Sequence, residues 1–280
     1  MNNKPNIFMA LDSNFEESNI VVFGAPYDGT VSYRPGTRFA PNAIRVESFG
    51  IETYSPYQEK DLEDLKVFDY GDLELPMGNR EKALDIIYQT SKKIVESNKI
   101  PFMIGGEHLV TLPAFKAVFE KYNDIVLIQF DAHADLRDNY LGEGLSHACV
   151  MQRCYQIMKS KELYQFGIRS MTKEEHEFAK KHTILEKFSA NTVSEAKEKI
   201  KDKPVYITID LDVLDPSIFS GTGTPEAGGL TYKELQKAIL DMRGLKIVGA
   251  DVNELSPDYD NSKVSTITAC KVIREMLMII

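Results

Sequence analysis

Ile125-Val126-Leu127-Ile128-Gln129-Phe130-Asp131-Ala132-His133-Ala134-Asp135 is the stretch whose reading decides the fold class. Its first half is a nearly continuous apolar run, not an alternating one, as expected of a strand covered by helices on both faces. Its second half turns at once to carboxylates and an imidazole. Working outward, comparable short runs lie at 20–26, 66–70, 101–105, 163–168, 183–188, 205–209 and 246–250, which with 125–130 make eight strand candidates. Between them run segments of helical period. In 80–98, Ala83, Leu84, Ile87, Tyr88, Ile94 and Val95 fall near one stripe, and in 262–280 Ala269, Val272, Ile273, Met276 and Leu277 repeat the pattern. This alternation predicts an α/β fold with one parallel sheet between helical layers. No low-complexity linker, charge block or internal repeat marks a boundary, so residues 1–280 are expected to form one domain.

Composition narrows the function classes. With 43% hydrophobic and 27% charged residues, the chain is ordinary for a soluble globular protein. A net charge of -9 argues against a nucleic-acid partner and suits divalent cations or a cationic substrate. No run approaches the ~18 to 20 apolar residues of a membrane span. Residues 1–19 lack the apolar core of a secretory signal. Cys149, Cys154 and Cys270 have no metal-ligand spacing and read as reduced thiols, so a cytoplasmic location is expected.

An open parallel sheet gathers its site at the carboxyl ends of its strands. Gly105-Gly106-Glu107-His108 follows the third predicted strand, Asp131 to Asp135 the fourth, Asp210-Leu211-Asp212 the seventh, and Glu254 the eighth. In extended backbone, residues two apart share a side, so Asp131, His133 and Asp135 are expected to face one way, and Asp210 and Asp212 likewise. Such crowded carboxylates require compensation, and four aspartates balance two divalent ions. Mostly oxygen donors, two imidazoles and no thiolate favour Mn²⁺. A water between two cations becomes hydroxide near neutral pH, the nucleophile that a resonance-stabilised guanidinium carbon needs. Glu254 is placed to grip that planar cation, and His147 is the free histidine available to protonate the leaving amine.

Each piece also has a plain structural reading. Asp-x-His-x-Asp can be a helix-capping loop, His108 a satisfied core imidazole, and His147 a residue that merely starts a helix. Asp215, before Pro216, is read as a turn former. His176 and His182 are expected to be solvated on a charged helix. Several such coincidences at separate strand ends are less probable than one site.

Read together, these motifs resemble the ureohydrolase family, most closely its agmatinase branch. The resemblance runs from Ser32-Tyr33-Arg34-Pro35-Gly36 through 105–108, 131–135, Phe166-Gly167-Ile168-Arg169-Ser170 and Gly221-Thr222-Gly223-Thr224-Pro225 to Ile273-Arg274-Glu275-Met276-Leu277. It implies a three-layer α/β/α sandwich with an eight-stranded parallel sheet, and two Mn²⁺ per chain. One ion would be held by His108, Asp131, Asp135 and Asp210, the other by Asp131, His133, Asp210 and Asp212. It further implies His147 as proton shuttle, Glu254 as guanidinium ligand, and a homo-oligomer, trimer or hexamer. The implied reaction converts agmatine and water to putrescine and urea. Guanidinobutyrate, arginine and formimidoylglutamate are the alternative substrates. Arginases carry an asparagine where this chain has Arg137; an inward Arg137 would repel a terminal ammonium, so it is expected to point elsewhere. A zinc deacetylase of related fold would leave His108 and Asp212 surplus, and an inactive scaffold would not need the six ligands intact.

Overall fold

The computed structural model describes residues 7–11 and 13–280; residues 1–6 and Asp12, part of the 1–19 stretch, lie outside these. Eight strands form one parallel sheet: β1 (Ile20–Ala25), β4 (Val67–Asp72), β5 (Ile100–Gly105), β6 (Val126–Phe130), β7 (Leu163–Ile168), β8 (Ile184–Lys187), β9 (Pro204–Asp210) and β10 (Lys246–Asn253). Two short strands, β2 (Tyr54–Ser55) and β3 (Lys60–Asp61), pair separately as an antiparallel ribbon. All eight predicted strands are present, with ends shifted by up to three residues.

The order across the sheet is β4-β1-β5-β10-β9-β6-β7-β8. Side chains alternate between two cores, because successive residues of a strand face opposite ways. Val22, Phe102, Ile128 and Ile207 point to one face, where they meet α1 (Ala40–Glu47), α6 (Val193–Ile200), α7 (Tyr232–Asp241) and α8 (Val264–Ile279). Val21, Phe23, Met103 and Leu127 point to the other, against α2 (Arg80–Glu96), α3 (Thr111–Lys121), α4 (Val150–Ile157) and α5 (Lys173–His182). The result is the expected α/β/α sandwich. Each large apolar side chain buried this way stabilises the fold by about 1.5–3 kcal/mol.

Helix starts are fixed locally. Asn79 accepts the Lys82 N–H at the start of α2, and Thr172 with Glu175 forms a reciprocal capping box on α5. Asp215 does form a turn, accepting from the Ser217 N–H and hydroxyl and from the N–H groups of Gly228 and Gly229. On α5, His182 is exposed at the surface, while His176 is half-buried. The α8 reading needs correction: this helix is buried on nearly every side, not along one stripe. Its polar face is covered because Ser55 and Gln58, around the β2–β3 ribbon, donate to Glu275, which also pairs with Arg274 at 2.6 Å. Among the described residues, no helix is long and apolar enough to cross a membrane.

Candidate metal centre

The four central strands, adjacent in the order β5-β10-β9-β6, deliver the candidate site residues from their carboxyl ends. His108 follows β5, Glu254 follows β10, Asp210 ends β9 with Asp212 just beyond, and Asp131 to Asp135 follow β6. Gly106 makes the first of these turns possible, since a Cβ there would lie 1.9 Å from the Tyr27 carbonyl oxygen.

His108 Nδ1 lies 3.1 Å from Asp131 Oδ2, 3.0 Å from Asp135 Oδ2 and 3.5 Å from Asp210 Oδ2. His133 Nδ1 lies 3.0 Å from Asp212 Oδ2 and 3.6 Å from Asp131 Oδ1. Two sets, His108–Asp131–Asp135 and Asp131–His133–Asp212, each bring three donor atoms within 4.8 Å of one another and could hold a metal ion. Asp131 belongs to both. The six side chains named from the sequence thus stand together.

They do not converge in the way strand alternation suggests. Asp135 has φ +54°, in the left-handed region, and Asp212 sits in a 3-10 turn, Leu211–Val213, where its own N–H donates to the Asp210 carboxylate. Two tight turns, not extended backbone, aim Asp135 and Asp212 inward. Glu254 is likewise left-handed, at φ +67°, with its N–H held by the Gly106 carbonyl. An unbranched acid in that region is strained and persists only where neighbours enforce it.

The electrostatics show a site that draws positive charge. Burial would lower His108 and His133, yet the surrounding aspartates push both well above the usual imidazole range. Burial and the Asp131 charge push Asp135 up to about 7, and burial with Asp212 and Asp131 raises Asp210. Glu254 is raised by burial and then by Glu107, itself pushed by burial to about 7. Burial, with His133 adding, drives His147 down to about 4 and leaves it neutral at neutral pH.

His108, His133, Asp135, Asp210, His147 and Glu254 line a cleft of about 250 Å³, together with Ser32, Arg137, Tyr140, Thr224 and Glu175. Arg137 does not point elsewhere, as its charge suggested it should. It lines the cleft with its guanidinium 4.8 Å from the Tyr140 ring centroid and its Nε 3.6 Å from buried Glu175. The carboxylate removes the electrostatic objection by compensating the cation.

Sequence reasoning passed over the residues beneath the site. Gln129 donates to Asp131 Oδ2 at 2.7 Å, and Thr224 donates to Asp212 Oδ2 at 3.1 Å. Arg169 donates to the carbonyls of Asp212 and Glu226, tying the turn after β9 to the loop that carries Thr224. The quoted Gly-Thr-Gly-Thr and Gly-Ile-Arg-Ser motifs contain Thr224 and Arg169, but not the partners they would find.

Residues 18–279 match the profile of the Arginase family. An agmatinase of Bacillus anthracis is 46% identical over 276 residues, covering 97% of this chain and 95% of its own. The guanidinobutyrase of Pseudomonas aeruginosa is 33% identical, over 92% of this chain and 85% of its own. The crystal structure of a proposed agmatinase from Clostridium difficile superposes with a TM-score of 0.92 at 53% identity, covering 95% and 98% of the two chains. The same eight-stranded sheet and a match over almost the whole length leave one conclusion: this chain belongs to the arginase family and is an amidinohydrolase.

Proposed function

We propose that the protein hydrolyses agmatine to putrescine and urea, a step of putrescine and polyamine synthesis, using two Mn²⁺ per chain. The observation that carries this reading is the sharing of Asp131 between two ligand groups on the floor of a cleft that Glu254 also lines. His108, Asp131, Asp135 and Asp210 would hold one ion and Asp131, His133, Asp210 and Asp212 the other. The donor set fits hard divalent cations: carboxylate oxygens predominate, the two imidazoles complete it, and no thiolate takes part. When bound, the pair would supply the lowered water pKa that attack on a guanidinium carbon requires.

The protein's own groups do the rest. Glu254 spends one oxygen on the His108 N–H at 2.7 Å, and its buried charge is restored by a cationic guanidinium. His147, neutral and at the cleft wall, accepts a proton from the attacking water and returns it to the amine as the C–N bond breaks. At the far side, Glu175 and the Tyr140 face offer a terminal ammonium a carboxylate and a π surface beside Arg137.

One observation favours a second reading, guanidinobutyrate. Arg137 faces the cleft with 38% of its side chain exposed, and could take a substrate carboxylate. A panel of agmatine, guanidinobutyrate, arginine and formimidoylglutamate with Mn²⁺-loaded protein decides between them. The highest kcat/KM is expected for agmatine; absence of urea from agmatine alongside turnover of another compound would reject that substrate.

The reading includes a cytoplasmic homo-oligomer. Three buried free thiols, Cys149, Cys154 and Cys270, suit a reducing compartment. Exposed Tyr33, Phe49, Tyr54, Tyr57 and Tyr259 suit an association surface. Light scattering on the purified protein measures the oligomer directly.

A further inference from the structure

Glu107 is fully buried, and among the described residues no lysine, arginine or histidine forms an ion pair with it. A carboxylate in that position is costly unless hydrogen bonds satisfy it. Its partner is Thr30, from the loop after the neighbouring strand β1. The Thr30 N–H donates to Oε2 at 2.8 Å, and the Thr30 hydroxyl donates to Oε1 at 2.6 Å. That hydroxyl has one proton, and it is spent on the hydrogen bond to Glu107, whose carboxylate form the two Thr30 donors favour against burial. Toward anything else, Thr30 Oγ1 can only accept.

What it faces is His147. The His147 backbone N–H lies 3.1 Å from Thr30 Oγ1, and the ring Nδ1 lies 3.4 Å from the same oxygen. Because Thr30 accepts there, Nδ1 carries the ring proton and Nε2 is left with its lone pair. Nε2 is turned toward Ser32 Oγ, 3.4 Å away, at the cleft. Tyr140 sets the ring plane, standing edge-on with centroids 5.7 Å apart.

We propose that Glu107 and Thr30 are positioning residues that fix the tautomer and orientation of His147, making Nε2 the atom that exchanges the proton. This rests on the reading of His147 as the proton-transfer group. In that step, Nε2 takes a proton from water as oxygen bonds to the guanidino carbon. It releases the proton to the departing amine nitrogen as the C–N bond breaks, while Nδ1 keeps its own proton throughout. Thr30 does not line the cleft, and its side-chain hydrogen bonds go to Glu107 and His147 and to none of the proposed metal ligands, so its effect on the reaction is read through the ring.

The test uses Mn²⁺-loaded protein, agmatine, and the variants Thr30→Val, Thr30→Ser, His147→Asn and the Thr30→Val/His147→Asn pair, with metal content and melting temperature measured for each. Thr30→Val is expected to lower kcat at least tenfold with KM within about threefold, against the ~10²-fold or larger loss expected for His147→Asn. Thr30→Ser should recover most of the kcat, and Thr30→Val should cost nothing further once His147 is gone. A Thr30→Val enzyme with unchanged kcat beside a crippled His147→Asn enzyme would overturn the positioning role and leave the shuttle intact. Equal losses in Thr30→Ser and Thr30→Val, or an undiminished Thr30→Val loss without His147, would also overturn it. Near-normal turnover by His147→Asn would remove the shuttle reading itself.

Discussion

His108 Nε2 stands 2.8 Å from the hydroxyl of Thr208, a side chain inside the central strand β9. Thr208 gives its own proton to Asp251 at 2.6 Å, so it can only accept from the imidazole. The Nε2 proton is thereby held by Thr208, so Nδ1, beside Asp131 and Asp135, is the ring atom that would give up its proton to a metal ion. Asp251 is anchored in turn by Tyr206 and Asn253. A buried relay thus orients one side of the proposed metal centre.

Thr208→Val keeps the shape and removes the hydroxyl. Affinity for Mn²⁺ is expected to fall about 10- to 100-fold, with Thr208→Ser close to the parent. Metal content after dialysis against graded free Mn²⁺ measures this, and unchanged retention would refute the relay.

Metal removal should give a pH-dependent stability of definite sign. Asp135 is raised from 3.8 to about 7 in the metal-free fold, by burial and then by Asp131. The folded state therefore holds more protons than the unfolded state between those values, and this group makes the chelated protein less stable as pH rises through that window. Cation binding displaces the proton, so added Mn²⁺ should raise the melting temperature more at pH 8 than at pH 6. Thermal melts of chelated and reloaded protein across this range check the sign; an equal shift at both pH values would contradict it.

Glu254→Gln is expected to keep both metals and lose about 100-fold or more in kcat/KM for agmatine, because the cationic substrate loses its charged acceptor. Metal analysis alongside steady-state kinetics separates a lost ligand from a lost site. Near-normal kcat/KM would remove Glu254 from substrate binding.

Arg137→Ala tests substrate choice at the mouth of the cleft. Removing the guanidinium leaves Glu175 free to meet an ammonium, so the ratio of kcat/KM for agmatine over guanidinobutyrate should rise at least several-fold. An unchanged ratio would mean that Arg137 does not act on the substrate's charged tail, and a fall would reverse its assigned preference.

The nature of the strands and the clustering of polar residues at their ends were legible in the sequence. Consecutive residues carry that information: Ile125 to Ile128 is apolar without alternation, and Asp131 follows three positions later. The six candidate ligands could be named because acids and histidines at several strand ends have few other uses. The turns that aim them were hidden. Left-handed Asp135 and the 3-10 turn holding Asp212 follow from close packing of loops, not from residue spacing.

Local order along the chain determined the α/β layers, the eight strands and the side of the sheet on which a site must form. Only the tertiary structure decided the strand order that places β5, β10, β9 and β6 side by side, the inward turn of Arg137 toward Glu175, and the meeting of Thr30, Glu107 and His147. The reason is range: periodicity is written within a few residues, whereas the Thr30–Glu107 and Thr30–His147 contacts span 77 and 117 positions and exist only after the sheet has brought its strand ends together.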